Sequence, residues 1–427
     1  MTRLFMDVTP LRESPAFRRL WVGSGLSAIG TQMTMFAVAL QVYTLTHSSA
    51  AVGALALCAA VPSITVGLLG GAIADAVDRR RLVLVTGTAL AVTSTGLAVQ
   101  AYANVNRVWL LYLLMSLAAL FGAVNQPARR TFMPRLLRPD QIPAGTALSM
   151  FTFHGSMTIG PALAGVVAAA WGLRTCYAVD AVSFVVALYS VFRLPPMPPD
   201  GGAARPGVRA VADGLAFVRR SRVLVAAFLS DLNATVLGMP FALFPAINAE
   251  RFGGSPRTLG LLTSAVAVGG LVGSGLSGPL RHLTRLGRAM LVASAVWGLA
   301  LAGFGLAHPL WLALLLLAVA GTADVLSVIC RSTIVQNVTP DRYRGRVNAV
   351  DFVVGAACPQ LGNFRAGAVG SLTTPAVSAV GGGLAVVLGA VVIRLAMPAL
   401  NRYDNAGARA NTGPGSGELS KASVSGG

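Results

Sequence analysis

Residues 52–103 read VGALALCAAVPSITVGLLGGAIADAVDRRRLVLVTGTALAVTSTGLAVQAYA, and this stretch decides the fold. It contains two apolar runs, near 52–74 and 82–103, separated by a short segment that ends in three consecutive arginines. Each run has the length of about 20 residues that an α-helix needs to cross the hydrocarbon core of a bilayer. The stretch therefore predicts two transmembrane helices joined by a charged loop.

The same pattern recurs on both sides of this stretch. The chain is 55% hydrophobic and 11% charged, whereas soluble domains carry about 25% charged residues. We therefore predict an all-α integral membrane fold of twelve transmembrane helices, in two six-helix halves that form a parallel repeat around a central cavity. The predicted spans lie near 20–45, 52–74, 82–103, 108–128, 143–170, 175–194, 223–248, 258–280, 289–307, 309–330, 346–371 and 375–399.

Composition along the chain predicts four regions. Residues 1–194 form the N-terminal half, and 223–400 form the C-terminal half. Between them, 195–222 is polar, basic and rich in Pro and Gly, as expected of a cytoplasmic linker. The segment 401–427 is rich in Gly, Ser and Ala and cannot bury enough apolar surface to offset the entropy of ordering, so we expect a disordered cytoplasmic tail.

The 33 basic residues indicate the orientation. When both termini are placed in the cytoplasm, only Arg107, Arg174, Arg251 and Arg257 fall in outer loops, and Arg365 lies inside a span. All other basic residues then lie on the inner side, as the positive-inside rule requires. We expect a multi-pass protein of the plasma or inner membrane.

The sequence lacks the features typical of nucleic-acid-binding proteins, metalloproteins and membrane-embedded enzymes. The net charge of +18 comes from short arginine clusters between apolar runs rather than from a basic face with base-reading groups, so nucleic acid is not an expected partner. The four cysteines show no metal-binding spacing, and we expect no metal and no cofactor. Neither H-E-x-x-H nor G-x-S-x-G occurs, which disfavours a membrane-embedded enzyme. A non-transporting receptor or scaffold remains an alternative to a transporter.

A group of three residues near loop boundaries occurs twice in the chain, which supports an internal repeat. Arg130, Pro139 and Asp140 are each matched 201 positions later, by Arg331, Pro340 and Asp341. Two parallel six-span halves are a recurrent design of secondary transporters, with the substrate bound near mid-membrane between them.

The loop after the second span carries the motif Gly71-x-x-x-Asp75-x-x-Asp78-Arg79-Arg80-Arg81. It resembles the loop signature of the major facilitator superfamily. The sequence departs from that signature at Ala76, where a basic residue is usual, and at Asp78, where glycine is usual. An acidic residue before the arginines is the form common in the enterobactin-exporter-like group. The resemblance implies a gating role for this motif.

A second motif, in the fifth span, is Gly155-x-x-x-x-Gly160-Pro161-x-x-x-Gly165. It resembles the Gly/Pro motif found in the fifth span of superfamily exporters. Small residues at helical spacing allow close helix packing, and proline bends a helix. The resemblance to the exporter motif implies export rather than import.

Resemblance to the enterobactin-exporter-like group extends over nearly all the chain and is strongest from Gln336 to Val380, which includes Gly345-Arg346-Val347-Asn348. It implies proton-driven export of a siderophore or a similar small amphipathic molecule. A multidrug efflux antiporter and an importer are the alternatives within transport. The expected partners are the small-molecule substrate, protons and the lipid bilayer, and we expect a monomer.

Ionisable residues inside spans are candidates for function because they are costly in a bilayer. Asp231, about nine residues into the seventh span, is the deepest acid and the first candidate for proton coupling. Asp180, Asp324 and Asp351 lie nearer the span ends and are further candidates.

Other polar residues are predicted to line the cavity or to form a charge network. Arg365 is expected to attract an anionic substrate or to neutralise Asp231. The remaining predicted cavity residues are Gln32, His154, Asn233 and Gln360. A charge network near the cytoplasmic side is predicted from Arg130, Arg331, Asp341 and Arg346.

Overall fold

The computed structural model describes residues 7–197, 208–278, 283, 285–401 and 403, without the side chains of 67–76, 208–210 and 342. Its long elements are helices that we number by span. They are α1 (Pro15–Thr46), α2 (Ser49–Ala76), α3 (Arg79–Tyr102), α4 (Val108–Arg130), α5 (Ile142–Trp171), α6 (Leu173–Phe192), α7 (Arg222–Gly238 and Phe244–Arg251), α8 (Pro256–Gly275), α9 (Leu286–Leu306), α10 (Leu310–Val338), α11 (Asp341–Leu372) and α12 (Pro375–Ala396).

Side-chain caps begin several of these helices. Ser14 accepts a hydrogen bond from the Phe17 amide at 3.2 Å, and Asp78 accepts one from the Arg81 amide at 2.8 Å. Such caps satisfy donors in the first turn, which have no acceptor within the helix. Gly172, with φ of 82°, makes the tight turn between α5 and α6, a conformation that glycine adopts without a steric penalty.

The predicted all-α fold is confirmed. Among the described residues, eleven helical segments are long and apolar enough to cross a membrane. The 32-residue α11 is more polar than the others and completes the set of twelve. The seventh span is not one continuous helix, because it breaks after Gly238 and resumes at Phe244. Pro240, which cannot donate a backbone hydrogen bond, lies in this break.

The two groups of six helices meet through two helix pairs, α2 with α11 and α5 with α8. A Cβ atom on Gly165 would lie 2.7 Å from the Pro256 carbonyl oxygen, so α5 and α8 are in backbone contact there. The Ser264 hydroxyl donates to the Thr158 carbonyl across the same pair at 2.9 Å. A Cβ on Gly53 would lie 3.0 Å from the Asn363 carbonyl oxygen, which shows equally close packing of α2 on α11.

These contacts hold the halves together at one end of the bundle, which we call the sealed end; it is where α1 joins α2. The opposite end, where Arg79, Arg80 and Arg81 begin α3, is called the basic end. Phe151 lies two turns from Thr158 toward the basic end and is 61% exposed, and Leu271, two turns from Ser264, is 43% exposed. Residues seven apart share a helix face, so α5 and α8 separate toward the basic end.

Candidate functional site

A cluster of charged side chains lies inside the C-terminal half. Asp231 on α7, Arg331 on α10 and Asp351 on α11 form it. Nε of Arg331 lies 3.3 Å from Oδ1 of Asp231, and Nη1 of Arg331 donates to Oδ1 of Asp351. One guanidinium therefore connects two carboxylates from two other helices.

The three residues lie at a similar depth. Asp231 follows the start of α7 by nine residues, and Asp351 follows the start of α11 by ten. At 1.5 Å per residue, both lie about 15 Å from the basic end of their helices. Arg331 lies seven residues before the end of α10, about 10 Å from the same end. The cluster is thus well inside the bundle on the side where the halves separate.

Burial and charge suit this cluster to proton binding. The side chains of Arg331 and Asp231 are 8% and 11% exposed, whereas that of Asp351 is 35% exposed. Asp324 lies within electrostatic reach of Asp231 and Arg331. Buried charges are tolerated when they are paired, and here acidic groups outnumber the single arginine that they share. A proton on one carboxyl group would leave the arginine paired with the other carboxylate, and Asp351 is the most exposed of the three side chains.

A row of hydroxyl groups continues beside Asp231. Ser230 and Ser294 lie 3.3 Å apart, and Ser294 and Ser327 lie 3.4 Å apart. All three side chains are buried and link α7, α9 and α10. Sequence reasoning missed them, because single serines in apolar spans carry no distinguishing spacing.

Arg365 lies far from this cluster. It follows Asp351 by fourteen residues on α11, a distance of about 21 Å along the helix axis. Its Nη2 donates to the Leu237 carbonyl at 2.7 Å, one of the last carbonyls before the break in α7. The basic partner of Asp231 is therefore Arg331 rather than Arg365.

The other predicted cavity residues are distributed over both halves. Asn233 donates to the Val386 carbonyl of α12 at 2.8 Å and so faces a helix interface. Gln32 packs against Gly160. His154 makes an edge-on ring contact with Phe153, with centroids 5.4 Å apart. His154, Gln32 and Gln360 are all partly buried.

Asp180 and a group of amides lie in the N-terminal half. Asp180 accepts hydrogen bonds from Thr34 and Ser94. Separately, the Tyr177 hydroxyl donates to Gln41 at 2.7 Å, and the amides of Gln41 and Gln100 are paired. This group of two amides and one phenol was not predicted as a unit, since its members are far apart in the sequence.

The loop motif is described in part. Gly71 and Asp75 lie outside the residues whose side chains are described. Asp78 accepts hydrogen bonds from the backbone amides of Arg81 and Met197. Arg80 donates to the Phe192 carbonyl at 2.6 Å. These bonds join the start of α3 to the end of α6.

The glycines of the fifth span differ in surroundings. A Cβ on Gly160 would meet Gln32, and one on Gly165 would meet α8, whereas one on Gly155 would meet nothing within 4 Å. Pro161 is buried within α5, and its carbonyl oxygen would lie 2.7 Å from a Cβ on Gly260 of α8. The part of the motif from Pro161 to Gly165 thus forms the contact between halves.

The members of the predicted charge network have different surroundings. Arg331 belongs to the buried cluster described above. Asp341 pairs with Arg344 at 2.8 Å on the surface. Arg346 lies 3.9 Å from Asp213 of the helix Val208–Arg220, between the two halves. Arg130 is exposed at the end of α4.

Comparison with known proteins gives consistent results over nearly the whole chain. A family model described as "Transmembrane secretion effector" matches residues 6–419. The enterobactin exporter EntS of Citrobacter koseri is 27% identical over 400 residues, which cover 93% of this chain and 95% of that protein. EntS of Escherichia coli O1:K1 is 26% identical over the same shares.

Solved structures show the same fold. The nucleoside transporter NupG (D323A mutant) superposes with a TM-score of 0.74 and 16% identity, covering 90% of this chain and 99% of NupG. A bacterial homologue of the iron transporter ferroportin, in an inward-facing state, superposes with a TM-score of 0.66 and 16% identity, over 89% and 98% of the two chains.

Proposed function

The chain belongs to the transmembrane secretion effector family of the major facilitator superfamily, and from that premise we propose that it is a proton-coupled exporter that works by alternating access. Its substrate is a siderophore or a similar small amphipathic molecule. The relatives named above are enterobactin exporters, and this supports the substrate class.

The observation that carries the proposal is the cluster of Asp231, Arg331 and Asp351. Two carboxylates share one guanidinium in a buried site, so protonating one carboxyl changes which partner the arginine holds. These three side chains come from α7, α10 and α11, and a change in their pairing alters the packing of these helices. This provides a physical link between proton binding and conformation.

The direction of opening follows from the arginine distribution. The positive-inside rule places the basic end in the cytoplasm, with both termini and the segment 195–222 on that side. The described conformation is then closed on the outside and open toward the cytoplasm, where an exporter takes up its substrate. The gating motif around Asp75 and Asp78 lies on this cytoplasmic side.

Gradient-driven transport in proteoliposomes tests the coupling. Asp231→Asn should lose enterobactin transport driven by an imposed pH gradient and retain exchange of enterobactin without a gradient, because the amide cannot release a proton. Asp341→Asn is the matched control, since Asp341 is exposed and pairs only with the nearby Arg344 among the described contacts. Wild-type response of Asp231→Asn to the gradient would refute the role of Asp231.

The same vesicles distinguish the alternative substrate class. Transport of ethidium without transport of enterobactin would identify a multidrug antiporter. Transport of neither probe under any gradient would favour a receptor or scaffold and would contradict the proposal.

A further inference from the structure

The acid of the N-terminal half, Asp180, has surroundings unlike those of Asp231. It lies on α6 and is 2% exposed. Its Oδ2 accepts hydrogen bonds from Ser94 of α3 at 2.7 Å and from Thr34 of α1 at 2.9 Å. The hydroxyls of Thr31 and Ser183 also lie beside the carboxyl group. Every one of these neighbours is neutral.

No basic side chain in the described part of the chain pairs with Asp180, whereas Arg331 pairs with Asp231. The next ionisable groups on the same helix are Tyr177, whose hydroxyl is engaged by Gln41, and Cys176, which faces the Ala164 carbonyl. An ionised Asp180 would be an unpaired charge within the bilayer, which is strongly unfavourable. A proton bound to the carboxyl group would remove this charge.

The geometry favours a proton over a metal ion at this carboxyl group. Thr34 and Ser94 both donate their hydroxyl protons to Oδ2 of Asp180, and this arrangement stabilises the carboxyl group without a metal ion on that oxygen. The other oxygen, Oδ1, is buried and accepts no hydrogen bond from the described residues. A Cβ on Gly30 would lie 2.7 Å from Oδ1, which shows how closely α1 packs against it. Such a space fits a proton on Oδ1.

We propose that Asp180 is a resident proton site, occupied in the described conformation and retained through the transport cycle. The groups around it lie on α1, α3 and α6 of one half, so rocking of the two halves leaves its surroundings unchanged. The assignment of Asp231 as a site that exchanges its proton rests on the proposed function. The presence of a proton on Asp180 does not rest on it.

Infrared spectroscopy of the full-length protein in lipid tests this occupancy without a transport assay. At neutral pH the wild type should show the C=O stretching band of a protonated carboxyl group, and Asp180→Asn should lose it. Asp231→Asn is the control and should keep the band, because that acid is paired with arginine. A spectrum in which Asp180→Asn loses only carboxylate bands would overturn the proposal.

Two further measurements keep the proposal testable if Asp180→Asn does not fold. Ser94→Ala and Thr34→Val each remove one hydrogen bond to Oδ2, so they should shift the frequency of the protonated-carboxyl band without abolishing it. An unchanged frequency in both variants would assign the band elsewhere and overturn the proposal. Raising the sodium concentration should leave the thermal stability of the wild type unchanged; sodium-dependent stabilisation that Ser94→Ala weakens would instead identify a sodium site.

Discussion

Ser371, at the end of α11, supplies a cap for a helix of the other half. Its Oγ accepts a hydrogen bond from the Ala50 amide at 2.8 Å and lies 3.2 Å from the Ser48 hydroxyl. The Ala50 amide is in the first turn of α2, where backbone donors have no acceptor within the helix. This bond joins the two halves and forms only while the sealed end is closed. Ser371→Ala should therefore favour opening of the sealed end.

The expected magnitude follows from the bond that is lost. A net protein hydrogen bond contributes about 1 kcal/mol, and loss of a side-chain helix cap costs about 0.5–2 kcal/mol. Both Ser371 and Ala50 are near solvent, so water replaces part of the interaction. A loss of about 1 kcal/mol corresponds to roughly a fivefold shift of the ratio of closed to open molecules.

Cysteine labelling at the sealed end measures this shift. Ser49 is 4% exposed beside the contact, and Ser49→Cys is introduced after Cys58, Cys176, Cys330 and Cys358 have been replaced. Ser371→Ala should then raise the rate of labelling by a membrane-impermeant maleimide about fivefold, if closure is in rapid equilibrium.

The matched control is Thr373→Val. Its hydroxyl donates to the Val369 carbonyl of its own helix at 2.7 Å and makes no bond across the halves among the described contacts. An equal labelling rate in Ser371→Ala and in the parent, with both proteins folded, would refute the capping argument.

Two other substitutions test the interfaces. Gly165→Leu should keep the sealed end open and raise the labelling rate of Ser49→Cys, since a Cβ at Gly165 would lie 2.7 Å from a carbonyl oxygen of α8. Gly155→Leu is the control and should leave the labelling rate unchanged, because the space around Gly155 is open. Equal labelling rates in the two variants would contradict the packing of α5 on α8. Arg365→Met should lower the melting temperature by removing a charged hydrogen bond to Leu237, worth about 1.5–3 kcal/mol, and should reduce transport of anionic and neutral probes alike. A loss confined to anionic probes would show instead that Arg365 binds substrate.

The helices of this protein were predictable because an apolar run of about 20 residues is by itself sufficient to indicate a membrane-spanning helix. The predicted limits of most spans lie within a few residues of those observed. One detail depended on local chemistry that hydropathy does not record. The seventh apolar run predicts one continuous span, whereas the structure shows that α7 stops at Gly238 and resumes at Phe244.

The partner of Asp231 was not predictable from a single sequence. Arg331 was assigned to a network near the cytoplasmic side because the tenth apolar run ends near residue 330. The helix continues to Val338, which places Arg331 about two turns inside the bundle. Its contact with Asp231 joins positions 100 residues apart in the chain, and no local pattern specifies such a pair.

The role of Arg365 shows a related limit. A charged residue in a span indicates that a buried interaction exists, but not its partner. Here the partner is a backbone carbonyl exposed by the break in α7. Asn233 is similar, because it bonds a backbone carbonyl of α12 rather than facing the cavity. The Leu237 carbonyl becomes an acceptor through a broken helix, whereas Val386 lies inside the continuous α12, and neither acceptor can be located from the sequence.

Asp231 and Asp180, one buried acid from each half, have different neighbours, and in the proposed mechanism this difference determines which of the two drives transport. Arg331 lies beside Asp231 and supplies a countercharge, and the same arginine contacts Asp351, whose side chain is 35% exposed. A proton on either carboxyl would leave the other carboxylate paired with the single arginine. Asp180 has hydroxyl groups in place of an arginine and is 2% exposed, so losing its proton would leave an unpaired charge in a closed site. In this mechanism, depth in the membrane alone does not identify a coupling acid, because a countercharge beside the acid is required as well.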